Sequence, residues 1–401
     1  LGVTFHRNSS GKLGTRAFGG ASAARTYYVA DITGQAIMHV LYEQLMKHAD
    51  SVARYEEWFC TALAMDEQGE CCGVVTRNVA DGSMELFQAK SVILCNGGNG
   101  QVWKPTTNAL ICTGDGIAMA YRVGAKLMDM EMIQYHPTTL AGKGFLITEG
   151  ARGEGALLLN KNGERFMEKY APNKMELASR DVVSRAEQTE INEGRGFPDG
   201  TVALDITVVP KKRIHEALRE IVLVGRDFAG VDITREPIHI KPGNHYTMGG
   251  VKTDTEGRTD IPGLYAAGEV ACVSVHGGNR LGANSLLDTL IFGKRSGRDA
   301  AARAKRIEGS RPSRKVLEDE EAMIADVNSR EKGSGRRVSE IKLELGQTMD
   351  AKVAVFRDEA GIKEAIEIVA RLKEEAKTAY IDDHGSVFNQ DLLGAIELGY
   401  M

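Results

Sequence analysis

The sequence has 401 residues, a formal net charge of −5 and a pI near 6.1, with 42% hydrophobic and 26% charged residues. This balance is typical of a globular protein of two or three domains and excludes extensive disorder. The acidic net charge and the lack of a basic stripe argue against nucleic acid as a partner. No apolar run approaches the roughly 18 residues of a membrane helix, and the first residues have no signal-peptide layout. We therefore predict no direct membrane span.

The cysteines show no C-x-x-C pair and no zinc-finger spacing. They are Cys60, Cys71, Cys72, Cys95, Cys112 and Cys272. This pattern predicts reduced, mostly buried thiols of an intracellular protein and no metal site within the chain.

Glycine is over-represented, with 45 of 401 residues, against a usual share of about 7%. The excess lies in clusters such as "NGGNG", "GEG", "MGG" and "HGGNRLG". Such clusters indicate backbone held close to a ligand or in turns with positive φ.

The first regular elements are predicted from hydrophobic periodicity. The segment "TGQAIMHVLYEQLMKHA" predicts a helix from about residue 33 to 48. Strands separated by turns at "DEQGE" and "ADGS" follow, and "SVILC" predicts a buried strand that ends in the "NGGNG" loop. Next, "TGDGIAMAYRVGAKL" predicts a short helix stopped by Gly124, which completes a βα unit.

The pattern becomes mixed between about residues 131 and 244, which indicates an inserted α+β segment. A hairpin is predicted over "ALLLNKNGERF", and helices over "MELASRDVVSRAEQTEINEGRG" and "PKKRIHEALREIV". A buried strand, "GLYAAGEVACVS", and a long helix, "NSLLDTLIFGKRSGRDAAARAKRI", follow. Beyond about residue 310, long amphipathic runs predict antiparallel helices.

Four segments combine His, Thr, Arg or Glu with nearby glycines: "MEMIQYHPTTL", "LITEGARGEGA", "KPGNHYTMGG" and "HGGNRLGANSLLD". A site for a small dianion needs such donors, since arginine offers a planar fork that matches a carboxylate. Each segment alone is more often a structural turn, but four of them in one chain favour an anion site. The "NGGNG" loop adds Gly97 and Gly98 as weaker candidates for flavin or phosphate contact.

These residues resemble, in order and over nearly the whole sequence, the flavoprotein subunits of succinate dehydrogenase and fumarate reductase. The matching segments include "GGASAARTYYVADITG", "NGGNGQVWKPTTNALICTGDG", "QYHPTTLAGKGFLITEGARGEGALLLNKNGERFMEKYAP", "LASRDVVSR", "HYTMGG", "GLYAAGEVACVSVHGGNRLGANSLLD" and "VFRDEAGI".

The resemblance implies an α/β fold of the FAD-binding flavoprotein type, incomplete here, with an inserted α+β capping domain and a C-terminal helical domain. The expected boundaries are 1–130 and 245–310 for the two parts of the FAD-binding domain, 131–244 for the capping domain and 311–401 for the helical domain. The substrate is expected at the junction of the capping and FAD-binding domains.

The resemblance also implies roles for individual residues. The substrate carboxylates would be held by His136, Thr148, His245 and Arg280. Arg180 matches the family's proton-transfer residue, and Glu149 and Arg152 match its relay to solvent. On the flavin side the matching positions are Asp115, Glu269, Ser285 and Leu286.

The role implied for Arg180 differs from what its chemistry alone predicts. A guanidinium stays protonated at physiological pH, so elementary chemistry predicts an electrostatic clamp. Proton transfer requires neighbouring cations and a dry site, which Arg152 and Arg280 are expected to supply. The implied reaction is hydride transfer from a substrate methylene to the flavin, with proton removal from the adjacent carbon; fumarate reduction is the reverse.

Two departures from the family pattern lie at the ends of the sequence. No dinucleotide-binding βαβ segment with G-x-G-x-x-G precedes "LGVTFHR", and the sequence stops at "AIELGYM", where family members continue. We therefore expect FAD as the cofactor, with the histidine that attaches it covalently outside this sequence.

The resemblance sets further expectations for partners and location. Succinate or fumarate is the expected substrate, and electrons are expected to pass to an iron–sulfur subunit and then to quinone. Membrane-anchor subunits would be indirect partners. The protein is expected at the cytoplasmic face of the inner membrane, or the matrix side in mitochondria, held peripherally by its partner subunits.

Succinate oxidation is the leading hypothesis, and three alternatives stay open. A fumarate reductase would run the same chemistry in reverse. An L-aspartate oxidase shares the "HGxNRLxxNSLL" pattern. A cofactor-free truncated structural subunit is the alternative from outside the enzymes.

Overall fold

The computed structural model describes residues 2–401 and consists of short strands and longer helices. The strands are β1 Thr15–Arg16, β2 Thr26–Tyr27, β3 Trp58–Met65, β4 Cys71–Asn78, β5 Met84–Gln88, β6 Val92–Leu94, β7 Leu127–Met128, β8 Ile133–Leu140, β9 Leu157–Leu159, β10 Val202–Asp205, β11 Ile238–Thr247, β12 Gly250–Lys252, β13 Leu264–Ala266 and β14 Ala271–Cys272. The helices are α1 Thr33–Met46, α2 Asp115–Arg122, α3 Glu149–Gly153, α4 Met167–Tyr170, α5 Arg180–Asn192, α6 Lys211–Ala217, α7 Arg219–Val224, α8 Asn284–Arg306, α9 Lys315–Ser329, α10 Val338–Lys352, α11 Glu359–Ala376 and α12 Gln390–Tyr400.

Two antiparallel sheets and a parallel strand pair form the framework. The first sheet has the order β3-β4-β5, and the second, four-stranded sheet has the order β8-β11-β10-β9. Strands β6 and β13 pair in parallel although about 170 residues separate them, so two distant parts of the chain form one sheet. Strand β12 pairs in parallel with β14 and antiparallel with β7.

The hydrophobic core is divided into three clusters that match these elements. One lies under the four-stranded sheet and α5, and includes Leu158, Leu204 and Ile240. A second joins the C-terminal helices to Trp103 and Tyr135. The third packs α2 against β6, β12 and β13.

The expected boundary at residue 244 falls inside strand β11, which pairs with β8 and β10 along its length. The chain leaves this sheet after Thr247, and Gly250 pairs with Met128 on β7. We propose that the second part of the FAD-binding domain begins after Thr247 rather than at 245.

The structure confirms most predicted elements, including α1, β3 to β6, α2, α5, α8 and the C-terminal helices. The hairpin predicted over "ALLLNKNGERF" is wrong: only its first half is a strand, β9, and that strand pairs with β10. The Asn160 side chain closes the turn by accepting the backbone N–H of Glu164 at 3.1 Å. The chain then turns to bury Phe166 and Met167, and it starts α4 instead of a return strand.

The helix predicted over "PKKRIHEALREIV" is broken into α6 and α7. Leu218 leaves the helical conformation, with φ −131° and ψ 38°, and its side chain is fully buried. Burial of this leucine in the core therefore outweighs helix propensity at the break.

The burial of the six thiols is more varied than predicted. Cys71, Cys72 and Cys272 are buried and Cys60 and Cys112 are partly buried, but Cys95 is exposed after strand β6. Among residues 2–401, no helix has the length and apolar character needed to cross a bilayer.

Leu204 offers a test of the core under the four-stranded sheet. Its side chain is 0% exposed on β10, so Leu204→Ala should lower the free energy of unfolding by about 2–5 kcal/mol. Val208→Ala, four residues away and 51% exposed, is the matched control and should change it by less than about 0.5 kcal/mol. Urea titration measures both, and equal losses would contradict this position of the core.

Candidate functional site

Two histidines from neighbouring strands meet in the interior. His136 on β8 lies opposite Gly243 on β11, and His245 follows two residues later on β11. The two imidazole rings make an edge contact with their centroids 4.9 Å apart. Strand pairing therefore brings together two candidates that are 109 positions apart in the sequence.

The hydrogen bonds of His136 fix where its proton lies. The backbone N–H of Thr138 donates to His136 Nδ1 at 3.2 Å. In the neutral ring this leaves the proton on Nε2, which is then a donor for a ligand. His245 Nδ1 lies 2.6 Å from the Thr107 hydroxyl, which holds the second ring in place.

Arg280 enters the same region from the loop before α8. Its side chain is 3% exposed, its guanidinium lies 4.3 Å from the centroid of the Tyr246 ring, and its Nε has no hydrogen-bonding partner among the described residues. A buried arginine with an unused donor is suited to an anionic ligand.

Thr148 lies at the start of α3, where it caps the helix. Its hydroxyl accepts the backbone N–H of Gly150 at 3.2 Å, so its own hydrogen remains available to a ligand. Thr148 thus combines a structural bond with a free donor.

A buried ion pair lies beside these groups. Arg180, the first residue of α5, donates from Nε and Nη2 to one Glu149 carboxylate oxygen at 2.9 and 2.8 Å. The other Glu149 oxygen accepts the backbone N–H of Gly19. Arg152, three residues after Glu149 on α3, is 2% exposed and donates to the backbone carbonyl of Glu176 at 2.5 Å.

Positive charge in the pocket is carried by the arginines and not by the histidines. Burial lowers the pKa of His136 and His245 well below the ordinary value, and Arg180 lowers both further, so both rings are neutral near pH 7. Burial also lowers the pKa of Arg280 to about 10, and the nearby Arg180 contributes. Although burial raises the pKa of Glu149, Arg180 and Arg152 outweigh that effect and keep it ionised.

The candidates for flavin contact form two groups. Gly97, Gly98 and Glu269 lie at the carboxyl ends of the paired strands β6 and β13. A Cβ at Gly98 would lie 2.4 Å from the Glu269 carboxylate, so only glycine fits there. Asp115 begins α2, and both Asp115 and Glu269 raise the pKa of the Cys112 thiol electrostatically. Burial raises the pKa of Glu269 to about 7 and that of Asp115 to about 6.

Leu286, from the second group of flavin candidates, and the turn before it line a cavity. This cavity of about 470 Å³ is bounded by Phe18, Leu281, Gly282, Ala283 and Leu286, together with residues of α1. Its size lies within the range for small-molecule sites, about 300–1,000 Å³. Helix α8 begins here without a side-chain cap. The Asn284 N–H donates to the Leu281 carbonyl at 3.2 Å, and the N–H groups of Ser285 and Leu286 are left for an acceptor. Ser285 lies in this first turn. These residues fit the flavin end of FAD.

Sequence reasoning missed the side chain that links the two halves of the site. Gln134 accepts from Arg180 Nη1 at 3.0 Å and donates to the backbone carbonyl of Arg280 at 2.6 Å. Asn279 continues the network, since it accepts from Gln134 at 2.7 Å and donates to Asp181 at 2.6 Å. Gln134 lies in the segment "MEMIQYHPTTL" and Asn279 in "HGGNRLGANSLLD". Neutral amide side chains, however, carry no distinctive signal in a sequence.

Comparison with known proteins identifies the family. Residues 1–286 match the FAD binding domain family, and residues 342–401 match the fumarate reductase flavoprotein C-terminal family. The chain is 42% identical to the succinate dehydrogenase flavoprotein subunit of Rickettsia bellii over 419 aligned positions, which cover 99% of this chain and 69% of that protein. It is equally identical, 42%, to the fumarate reductase flavoprotein subunit of Mycobacterium tuberculosis, over 100% of this chain and 71% of that protein.

A solved structure agrees with the sequence relatives. The quinol fumarate reductase of E. coli, in a FrdA mutant, superposes with a TM-score of 0.93 at 36% identity over 99% of this chain and 70% of that chain. The chain belongs to the succinate dehydrogenase and fumarate reductase flavoprotein family. Membership in this family confirms the fold class, the oxidoreductase class and FAD as the cofactor, and it is at odds with the cofactor-free structural alternative.

Glu149 provides a test of the buried ion pair. Glu149→Gln would leave Arg180 and Arg152 without the carboxylate between them, and breaking a buried pair in this way costs about 3–5 kcal/mol. Glu359→Gln, which removes an exposed pair with Lys363 on α11, should cause no measurable change. Chemical denaturation of both variants checks the difference, and a stable Glu149→Gln protein would contradict the electrostatic account.

Glu269 predicts a dependence of stability on pH. Its pKa rises from 4.5 to about 7 on folding, so between these values the folded chain keeps a proton that the unfolded chain has lost. Stability of the apoprotein should therefore fall as pH rises through this window, by at most about 1.4 kcal/mol per pH unit from this group. In Glu269→Gln the free energy of unfolding, measured against pH, should lose this contribution to its slope. An unaltered slope would contradict the raised pKa of Glu269.

Proposed function

We propose that this chain is the flavoprotein subunit that oxidises succinate to fumarate. The observation that supports it most is the convergence of His136, His245 and the buried Arg280 beside the ion-paired Arg180. The relatives at 42% identity include a succinate dehydrogenase flavoprotein subunit. A small dicarboxylate is the ligand that this set of donors favours.

The two carboxylates of the substrate are recognised by different groups. Arg280 offers its unused Nε and the rest of a planar fork to one carboxylate, and the backbone contacts of its loop hold it in place. The neutral rings of His136 and His245 and the hydroxyl of Thr148 donate hydrogen bonds without adding charge. The dianion is thus matched by a few arginines instead of a general excess of positive charge.

Arg180, Glu149 and Arg152 carry the proton. We propose that Arg180 exchanges a proton with the substrate carbon from its guanidinium and that Glu149, bonded to two of its nitrogens, passes the proton towards Arg152. Arg180 lies close enough to Arg152 and Arg280 to lower the pKa of both guanidinium groups. A dry site with several cations is the environment in which an arginine can release a proton.

FAD, when bound, supplies the hydride acceptor. The residues that would hold its flavin end are Gly97, Gly98, Asp115, Glu269, Ser285 and Leu286. Gly98 permits close approach to the backbone, and the uncapped first turn of α8 presents N–H donors at the cavity.

We further propose that electrons leave through an iron–sulfur subunit to quinone, with membrane-anchor subunits as indirect partners. The names of the relatives, which describe flavoprotein subunits, and the quinol fumarate reductase structure support a multisubunit assembly. The protein would then be peripheral, at the cytoplasmic or matrix side of the inner membrane.

Fumarate reduction is the second candidate, because the Mycobacterium tuberculosis relative at the same identity bears that name. Rates of succinate-dependent dye reduction and of fumarate-dependent oxidation of reduced viologen, measured on the full-length flavoprotein, separate the two directions. Oxidation of L-aspartate with oxygen as acceptor, without succinate activity, would reject both.

Arg180→Gln tests the proton-transfer role. Loss of the proton donor and acceptor should lower kcat for succinate by about 10²–10⁴-fold, while flavin absorbance is retained because Arg180 lies outside the flavin candidates. Arg185→Gln changes an exposed arginine of the same helix that pairs with Asp181, and it should keep its rate. Retention of turnover in Arg180→Gln would remove the assigned role.

A further inference from the structure

Glu187 is a buried carboxyl group that the proposed reaction does not use. It lies on α5, its exposed fraction is 0%, and neither carboxylate oxygen has a hydrogen-bonding partner among residues 2–401. An unsatisfied buried carboxyl group is costly, so its position requires an explanation.

Arg152 has the complementary feature. Its Nη1 donates to a backbone carbonyl, but its Nε and Nη2 have no partner among the described residues. The charge of Arg152 lowers the pKa of Glu187. In turn, the charge of Glu187 raises the pKa of Arg152, and among charged groups only Glu149 has a larger effect on it. The unused donors and the unused acceptors therefore belong to two neighbouring residues.

Helix geometry places Glu187 in line with Arg180, Glu149 and Arg152, the residues of the proposed proton relay. Arg180 and Glu187 are seven residues apart on α5, which is about two turns, so they lie on the same face of the helix. Glu149 and Arg152 are three residues apart on α3 and are likewise neighbours on one face. Each helix thus presents one cation and one carboxyl group to the other, in the order Arg180, Glu149, Arg152, Glu187.

The other buried glutamates nearby are already paired. Glu190, also on α5, accepts from Arg195, Asn160 and Tyr170. Glu176 accepts from Arg165 through both oxygens. Of Glu176, Glu187 and Glu190, only Glu187 has no hydrogen bond to its carboxylate among the described residues. Its oxygens are therefore available to the unused donors of Arg152.

We propose that Glu187 is the terminal member of this proton relay, a positioning residue that acts through Arg152 and holds the proton that the substrate loses. The inference rests on the proposed function. In succinate oxidation the substrate gives a hydride to FAD and a proton to the relay; Glu187 changes from carboxylate to carboxylic acid and later releases the proton to water. Without Glu187 the relay contains two arginines and one carboxylate, so the added proton would increase an already positive buried charge.

The environment of Glu187 is consistent with this role. Burial raises its pKa well above the ordinary value, while Arg152 lowers it. The buried Glu187 carboxyl group therefore holds a proton more readily than an exposed one, as a proton-holding terminal member requires.

The test compares three variants of the full-length flavoprotein in its assembled complex: Glu187→Gln, Glu187→Asp and, as the matched control, Glu190→Gln. Glu190 is a buried glutamate of the same helix, but it pairs away from Arg152. The measurements are kcat and KM for succinate, the solvent deuterium isotope effect on kcat, and flavin absorbance.

Glu187→Gln keeps the shape of the side chain but cannot take up a proton. We expect kcat to fall at least about tenfold, less than for loss of the direct proton-transfer group, with KM and flavin content nearly unchanged and the solvent isotope effect increased. Glu187→Asp should recover part of the rate. Glu190→Gln should lower thermal stability but leave kcat and the isotope effect as in the unmodified protein.

Two results would overturn the inference. One is an unchanged kcat and isotope effect in Glu187→Gln. The other is a fall in kcat together with flavin content at an unchanged isotope effect, which would indicate packing alone. Failure of the proposed function is distinguishable, because then the unmodified complex itself would not oxidise succinate.

Discussion

The mutual repulsion of buried arginines is the constraint on which this site depends. Arg152, Arg180 and Arg280 all lie below the surface, and the charge of Arg180 lowers the pKa of both Arg152 and Arg280. Such a group of cations is stable only if carboxylates and hydrogen bonds offset it. Glu149 supplies part of that compensation within the chain, and the dianion that we propose as substrate would supply the rest. The same excess of buried positive charge would explain both the cost of the folded pocket and the preference for a doubly charged ligand that we propose.

The scaffold serves to hold these charges at short range without water. Glu149 receives an N–H from Gly19, where a Cβ would lie 2.7 Å from the same carboxylate, so the close approach depends on glycine. Gln134 fixes Arg180 and the Arg280 backbone relative to each other. Helix α3, with five residues, is too short to be stable by itself and is held by the core around Ile147 and Ala151. Precision at the site thus comes from packing on both sides of it.

Direction of the reaction is a different matter from the chemistry of the pocket. In the proposed site, the donors that would bind succinate would also bind fumarate, and the same proposed relay would give or take the proton. The family contains both activities at equal identity to this chain. Flavin potential and the electron acceptor, rather than the substrate donors, set which way the reaction runs.

The sequence by itself determined the elements with a strong local pattern and the charged residues of the site. Helices α1 and α8 and strands β3 to β5 follow from periodicity and turn residues, because those signals act over a few positions. The motif segments already contained His136, His245, Arg180 and Arg280. Tertiary structure decided what depends on distant partners. Strand β9 took β10 as its neighbour in place of a return strand, because burial of Phe166 and Met167 outweighed the turn signal. Gln134 and Glu187 are ordinary polar residues in the sequence; Glu187 lies in a polar helix where a glutamate normally faces solvent. Only the packing of α5 against its neighbours removes water from Glu187 and places it beside Arg152, and no local pattern encodes that burial.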